Sequence, residues 1–348
     1  MKDNWKEFLA SQGAIFEDHH GASRVTGFSD TSSDDTRRDH QLCDLSHYGL
    51  IRASGEEAQG FLQNQFCNDL RKVGETHSQL NAYCNPKGRV LAMFRVLLRD
   101  GDYYLRLPRE ILDPTLNRLR MFVLMTKVTL EDASERLQRI GFGGPDAEQH
   151  LRNCLGDAPV EAEQVSRSGE LSVVRVPGAR PRFEIYGTEA ALQALWQQLA
   201  ALATPVGHRD WALQDIRAGI PEIVTDTQEA FVPQMINLQA IDALSFKKGC
   251  YPGQEIVARM HYLGKLKRRM FLAHIDGDEL PAAGASLFAE GSDSAQGVGK
   301  VVSAQPAPDG GVDLLAVIEI SSAEQRQLHV GDAHGPLMIL RELPYSLE

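Results

Sequence analysis

From Ser54 onward the apolar residues fall at helical spacing: Ala58, Phe61, Leu62 and Phe66 recur every three or four positions, with Gln65 beside them. Ser54-Gly-Glu-Glu57 stands ahead of them with the spacing of a capping box, so the pattern predicts a helix reaching Leu70. The period then changes. Gln79 to Cys84 and Gly88 to Leu98 read as strands joined by a turn at Asn85-Pro86-Lys87-Gly88, and Asp102 to Leu107 as a third. Glu110 to Met125 reads as a helix with Pro114 near its start, and Lys127 to Leu130 as another strand. Leu42 to Ile51 is a strand pair or a strand and bend, and the polar stretch 18 to 40 a loop or loosely held arm. A similar unit recurs downstream. Leu171 to Val176 and Arg182 to Tyr186 form a hairpin, Glu189 to Ala203 an amphipathic helix, and His208 to Gly219 a helix stopped by Gly219-Ile220-Pro221. Beyond Arg269 the texture is of short strands: Met270 to Ile275, Ser286 to Ala289, Gly297 to Val302 and Val312 to Ile318. Glycine, proline and aspartate turns separate them, as in a small β-barrel or sandwich. Strand pairs alternating with helices predict an α+β chain with ferredoxin-like antiparallel sheets.

Composition narrows the function classes. At 348 residues the chain is long enough for two or three domains, and 43% hydrophobic with 24% charged residues is the balance of a folded, water-soluble protein. The net charge of −11 argues against broad phosphate neutralisation, so strong nucleic-acid binding is not expected. No window approaches eighteen apolar residues, and the acidic start lacks the features of a signal peptide; no membrane association is expected. Cys43, Cys67, Cys84, Cys154 and Cys250 are odd in number, scattered and without a C-x-x-C pair, which points to a reducing cytoplasm and away from a built-in metal site. Phosphate-binding glycine loops, helical H-x-x-x-H pairs and a G-x-S-x-G elbow are all missing. His19-His20 lies in the polar arm and reads as solvated.

The chemistry concentrates in Lys248-Gly249-Cys250-Tyr251-Pro252-Gly253-Gln254-Glu255. Pro-Gly predicts a type II turn that presents Cys250 at its mouth. Lys247 and Lys248 beside it favour a thiolate, the reactive form. Gln254 to Met260 then starts a helix with Glu255 in its first turn. The alternative is a half-buried cysteine in a well-made turn. Trp211, at the exposed start of a helix, is either a wall for a flat heterocycle or a ring covered by a neighbouring domain. Arg259, Lys265, Lys267, Arg268 and Arg269 gather within a short stretch; they face an anionic ligand tail or RNA, or they protect a sheet edge.

With these residues in hand, the chain resembles the YgfZ family of folate-binding proteins, which is related to the glycine-cleavage T-protein and to mitochondrial iron–sulphur assembly factors. The resemblance is carried by Phe231-Val-Pro-Gln-Met-Ile-Asn-Leu-Gln-Ala240, Ser245 to Glu255, Ala218-Gly-Ile-Pro-Glu222 and Leu343-Pro-Tyr-Ser-Leu-Glu348. Asp44-Leu-Ser-His-Tyr-Gly49, Gly55 and Phe61-Leu-Gln-Asn-Gln65 carry it more thinly in the first half. It implies a T-protein-like fold: a discontinuous folate-binding domain from residues 1–50 and 135–245, a ferredoxin-like domain over 51–134, and a C-terminal β-barrel over 246–348. It also implies binding of tetrahydrofolate or a one-carbon derivative on Tyr48 and Trp211, with Cys250 as the functional residue; the basic cluster would then supply Arg259 or Lys265 as contacts for the anionic tail of the folate. The implied role is the synthesis or repair of iron–sulphur proteins, including enzymes that methylthiolate tRNA, with iron–sulphur client or assembly proteins as partners.

Two departures from the T-protein pattern bear on activity. Asn85-Pro-Lys-Gly-Arg-Val-Leu91 stands where T-proteins carry a catalytic aspartate, and it contains no carboxylate. Arg217 stands where a pterin-holding glutamate is expected. Three readings follow: a folate-binding maintenance factor with a reactive cysteine, a one-carbon transferase of the aminomethyl type, and a non-catalytic adaptor that senses folate.

Overall fold

The computed structural model describes residues 1–19, 22–29, 39–291 and 297–347. The chain divides into two compact units. The first comprises Met1–Gln59, Arg71–Gln79 and Arg95–Trp211, and the second Gly60–Leu70, Leu80–Phe94 and Ala212–Glu348. Both are of the antiparallel α+β kind.

In the first unit, strands Val165–Ser168, Leu171–Val176, Arg182–Gly187, Gln138–Gly143, Gln41–Asp44 and Thr204–Val206 form one sheet in that order. The pairings are antiparallel except the last, which is parallel. Helices Asp3–Ser11, Ala147–Leu155 and Glu189–Ala200 contribute Trp5, Leu9, Leu151, Leu195 and Trp196 to the apolar core with Phe142, Phe183 and Ile185 of the sheet. The Trp5 and Trp196 rings meet edge to face at 6.4 Å. A second set of strands carries Tyr48–Ser54 between Asp102–Pro108 and Thr129–Asp132, with Arg95–Arg99 pairing beyond. Tyr48, Leu50, Leu97 and Tyr104 from this set and Val174, Val176 and Tyr186 from the first share one buried cluster.

Three expectations are corrected here. Much of the stretch expected to be a loose arm forms a hairpin, Ala14–His19 with Ala22–Phe28, because Val25 and Phe28 bury on a pattern that the polar Glu17, Asp18 and Arg24 disguise. His19 lies 3.4 Å from Glu110 and is not simply solvated; His20 and positions 30–38 lie outside the described residues. The second correction concerns the capping box. The Glu57 carboxylate accepts the Lys127 N–H at 2.6 Å, and the helix runs only over Ala58–Gln65. Gln63 then accepts the Leu70 N–H at 2.8 Å, turning the chain into an irregular stretch where Phe66 bridges Tyr83. Third, the helix expected over Glu110 to Met125 covers Leu112–Arg120. Its apolar continuation finds nothing to pack on, and Leu124 and Met125 are 85% and 97% exposed.

In the second unit, strand Gln79–Cys84 is buried along its length and lies in a core with Cys67, Ile216, Phe231, Ile236, Tyr251, Val257 and Met270. The C-terminal sheet has the order Leu328–Val330, Ser286–Ala289, Gly299–Pro306, Val312–Glu319, Arg268–Ile275 and Met338–Arg341. It curls enough for its edges to meet at the bridge His329–Leu337, as the expected barrel requires. Its two faces fill separate cores. Met270, Leu272 and Val317 join the core around Tyr251, while Ala273, Ala316 and Ile318 pack with Leu287 and Val330. Among the described residues no helix is long and apolar enough to cross a membrane.

Candidate functional site

Tyr251-Pro252-Gly253-Gln254 is a type II turn. Gln254 N–H donates to the Tyr251 carbonyl at 3.2 Å, and Gly253 sits at φ 82°, ψ 0°. A Cβ on Gly253 would fall 2.7 Å from Gly88 and closer still to the Asn85 carbonyl, so the Cys250 turn rests on the Asn85–Gly88 turn. That lower turn is closed by Asn85, whose side-chain oxygen accepts the N–H groups of Lys87 at 2.9 Å and Arg89 at 3.0 Å. Gly249 and Cys250 are exposed, and the Gln254–Tyr262 helix follows as expected.

Lys248 departs from expectation. It is 6% exposed, and its ammonium donates to the carbonyls of Gln63 and Phe66, at the end of the Ala58–Gln65 helix. A cation is favoured at that negative end, so the charge anchors the loop from inside. It also lies 5.1 Å from the centre of the Tyr251 ring. Lys247 is the exposed member of the pair. Beneath the turn, the Cys67 thiol hydrogen-bonded to Cys84, together with burial, pushes the Cys84 thiol well up. Burial also pushes up Cys43, helped by Asp44 and Asp210, and Cys154. Cys250 is the exposed cysteine of the five.

The motif segments of the second unit are mutually supporting. Gln234 Nε2 donates to the Val257 carbonyl at 2.7 Å, Asn237 Nδ2 to that of Met270 at 3.0 Å, and Tyr345 OH to that of Gly219 at 2.8 Å. Burial pushes the Tyr345 phenol up to about 12. Arg217 donates to Asp313 at 2.8 Å, where His274 and Arg341 also bind. Burial would raise the Asp313 carboxyl, but His274 and Arg217 hold it below the usual carboxylate range.

Of the expected basic cluster, Arg259 and Lys265 precede the C-terminal sheet, and Arg268 and Arg269 begin its Arg268–Ile275 strand. Arg259 pairs with Glu255 at 2.7 Å on the exposed helix surface, and Lys265 is exposed. Arg268 and Arg269 are consecutive in a strand and therefore project to opposite faces. No group of three or more His, Cys, Asp or Glu side chains able to hold a metal occurs among the described residues.

The expected aromatic pair lies in the first unit. Tyr48 begins a strand and Trp211 sits in the first turn of helix His208–Arg217; each is 1% exposed, and both belong to the same buried cluster. The sequence placed Trp211 at an exposed helix start. Instead the indole packs on Gly141, where a Cβ would come within 2.7 Å of the ring, so a glycine there makes its room. Buried Arg139 fixes the Leu45–Tyr48 bend by donating to the carbonyls of Tyr48 at 2.8 Å and Leu137 at 2.9 Å. Asp44 accepts the Trp5 indole N–H at 2.8 Å.

Guanidinium groups face both rings, Arg106 at 4.0 Å from the Tyr48 centre and Arg182 at 5.1 Å from Trp211. Glu184, 1% exposed, binds Arg106 at 3.2 Å and accepts the Tyr186 hydroxyl. Buried polar atoms in this region without a hydrogen-bond partner among the described residues include Trp211 Nε1 and both ring nitrogens of His47. The His47 ring lies 4.2 Å from that of Tyr48. Burial, with His208 and Arg106 adding to it, holds His47 well below its ordinary pKa, so the imidazole is neutral. His47 and Arg106 were not singled out from the sequence; only the position of His47 next to Tyr48 could have suggested it.

Residues 5–245 match the family model described as the GCVT N-terminal domain. The chain is 31% identical over 306 residues to the tRNA-modifying protein YgfZ of Colwellia psychrerythraea, spanning 88% of this chain and 93% of that protein. It is 32% identical over 308 residues to the tRNA-modifying protein YgfZ of Escherichia coli K12, spanning 88% and 94%. Among solved structures, the glycine cleavage system aminomethyltransferase T from Bartonella henselae superposes with a TM-score of 0.73 at 16% identity, covering 98% of this chain and 95% of that one. That likeness is one of fold.

Proposed function

The chain belongs to the YgfZ family and carries a GCVT N-terminal domain, and on that premise we propose that it binds a reduced folate and supports the modification of tRNA. The observation that carries the reading is the buried cluster in which Tyr48 and Trp211, remote in sequence, come together beside unpartnered polar atoms. A pterin is flat with a polar edge. It suits aromatic faces next to an indole N–H and a neutral imidazole that either donates or accepts. Buried polar atoms without partners are costly, and a ligand that pairs with them recovers that cost. Binding has to displace or slide past the Arg106 guanidinium that faces Tyr48.

Bound tetrahydrofolate supplies nitrogen atoms able to carry a one-carbon unit. Aminomethyl transfer is not part of this reading. The Asn85–Leu91 segment has no carboxylate, and the Asn85 side-chain oxygen is committed to its own turn. Cys250 is the reactive group, and the tRNA role runs through iron–sulphur enzymes that the protein maintains in the cytoplasm. Its exposure at a turn suits a thiol that meets a client protein.

Calorimetric titration with tetrahydrofolate tests the folate half. Trp211→Phe keeps a ring but removes the unpartnered N–H, and should weaken binding by at least about fivefold, the scale of one hydrogen bond. Unchanged affinity removes Trp211 from the site. Cys250→Ser should leave that affinity intact while failing to restore tRNA methylthiolation in a deletion strain. Full restoration assigns the protein an adaptor role.

A further inference from the structure

A cavity of about 440 Å³ in the second unit brings together three cations that the sequence scatters: Arg89, Arg268 and Lys300. Its floor is one face of the C-terminal sheet. Ser286 pairs with Lys300, Lys300 with Val317 and Val317 with Met270, so these residues share a face, and Arg268, two positions before Met270, shares it too. Its wall is apolar, from Phe231 and Met235 of the Phe231–Ala240 segment.

The cations are held in different ways. Arg89 donates one Nη1 to the Ala230 carbonyl at 2.8 Å, which fixes the guanidinium while leaving its other N–H groups to a ligand. Arg268 is steadied by Glu319 across the strands at 2.7 Å. Lys300 is exposed and makes no ion pair among the described residues. Three positive groups against one bonded carboxylate leave the cavity cationic in a chain of net charge −11.

We propose that this cavity is an anion site for a small organic ligand whose carboxylate or phosphate oxygens meet Arg89, Arg268 and Lys300 and whose apolar part lies on Phe231 and Met235. Oriented guanidinium groups and a mobile ammonium suit either oxyanion, and the Ser286 hydroxyl adds a donor. The site shares no residue with the aromatic cluster of the first unit, so it stands or falls independently of the folate reading.

The test is calorimetric titration of the full chain, without folate and at low salt, using pyrophosphate and tri-γ-glutamate as separate probes. Binding of either supports the site, and which one binds identifies phosphate or carboxylate as the preferred group. Lys300→Gln and Arg89→Gln should each weaken that binding by at least about fivefold. Lys127→Gln, a surface lysine of the first unit, should leave it unchanged. Lys300→Gln alters an exposed side chain and keeps the test valid if Arg89→Gln fails to fold. Binding of neither probe, wild-type affinity in Lys300→Gln, or an equal loss in Lys127→Gln overturns the proposal.

Discussion

Cys250 and Lys248 are two positions apart and have opposite fates: the thiol faces solvent and the ammonium faces backbone. Limited alkylation of the native protein should therefore modify Cys250 well before Cys43, Cys67, Cys84 or Cys154, read by peptide mass spectrometry. Earlier labelling of Cys84 would mean that the turn is not seated as described. Lys248→Met removes the cation that holds the Gln63 and Phe66 carbonyls, and should cost about 1–3 kcal/mol in urea unfolding, the penalty for stranding buried acceptors. Lys247→Met should be nearly neutral. Equal effects of the two substitutions would show that the buried ammonium is not an anchor. The motif was legible in the sequence as a place where chemistry gathers. Which lysine turns inward was not, because that depends on where a helix 182 to 185 positions earlier ends, and the helical pattern put that end at the wrong residue.

At the scale of elements, the Pro252–Gly253 turn and the Asn85–Gly88 turn form one contact, so a change in either moves both. Gly253→Ala combines a positive φ with a clash against backbone, and should cost at least about 2 kcal/mol. It should also broaden the reactivity of Cys250 by releasing its loop; denaturant midpoints together with alkylation rates measure both, and a wild-type midpoint would refute the packing. Elements bounded by turn residues were well read: Gln79–Cys84 and Ser286–Ala289 have the ends that the pattern gives. Errors arose where periodicity and packing part company. Met121 to Met125 continue a helical pattern with no partner surface, and the Ala14–Phe28 hairpin hides two buried residues among polar ones. In the basic stretch, Arg268 and Arg269 part for a geometric reason. Neighbours in a strand point apart; Arg268 shares a sheet face with Lys300 through cross-strand register, and Arg89 joins them from beside the Asn85–Gly88 turn.

For the molecule as a whole, buried imidazoles govern the acid limb of stability. Burial lowers the pKa of His47, His208 and His40 in the folded chain, whereas the unfolded chain protonates them near the usual value of about 6.5. The unfolded state thus binds more protons as pH falls, and this contribution, complete above about pH 6.5, is lost progressively below it. Asp313 and Glu184, held low by their arginine and other hydrogen-bonding partners against the effect of burial, add a further loss below about pH 4. Asp44 and Asp210, raised by burial, act in the opposite sense and in a different window: above the ordinary aspartate value of about 3.9 they add stability as pH falls through their raised values. The melting temperature should fall between about pH 7 and about pH 5.5, and less so in His47→Leu, which removes the most buried of the three imidazoles. A flat profile over that range would exclude imidazole control. Trp5, Trp196 and Trp211 are the only tryptophans in the chain, and all three belong to the first unit. Indole emission is therefore an optical reporter of that unit alone, while a dye on Cys250 would report on the other. A ligand that shifts one signal and leaves the other untouched reveals its unit without a single substitution.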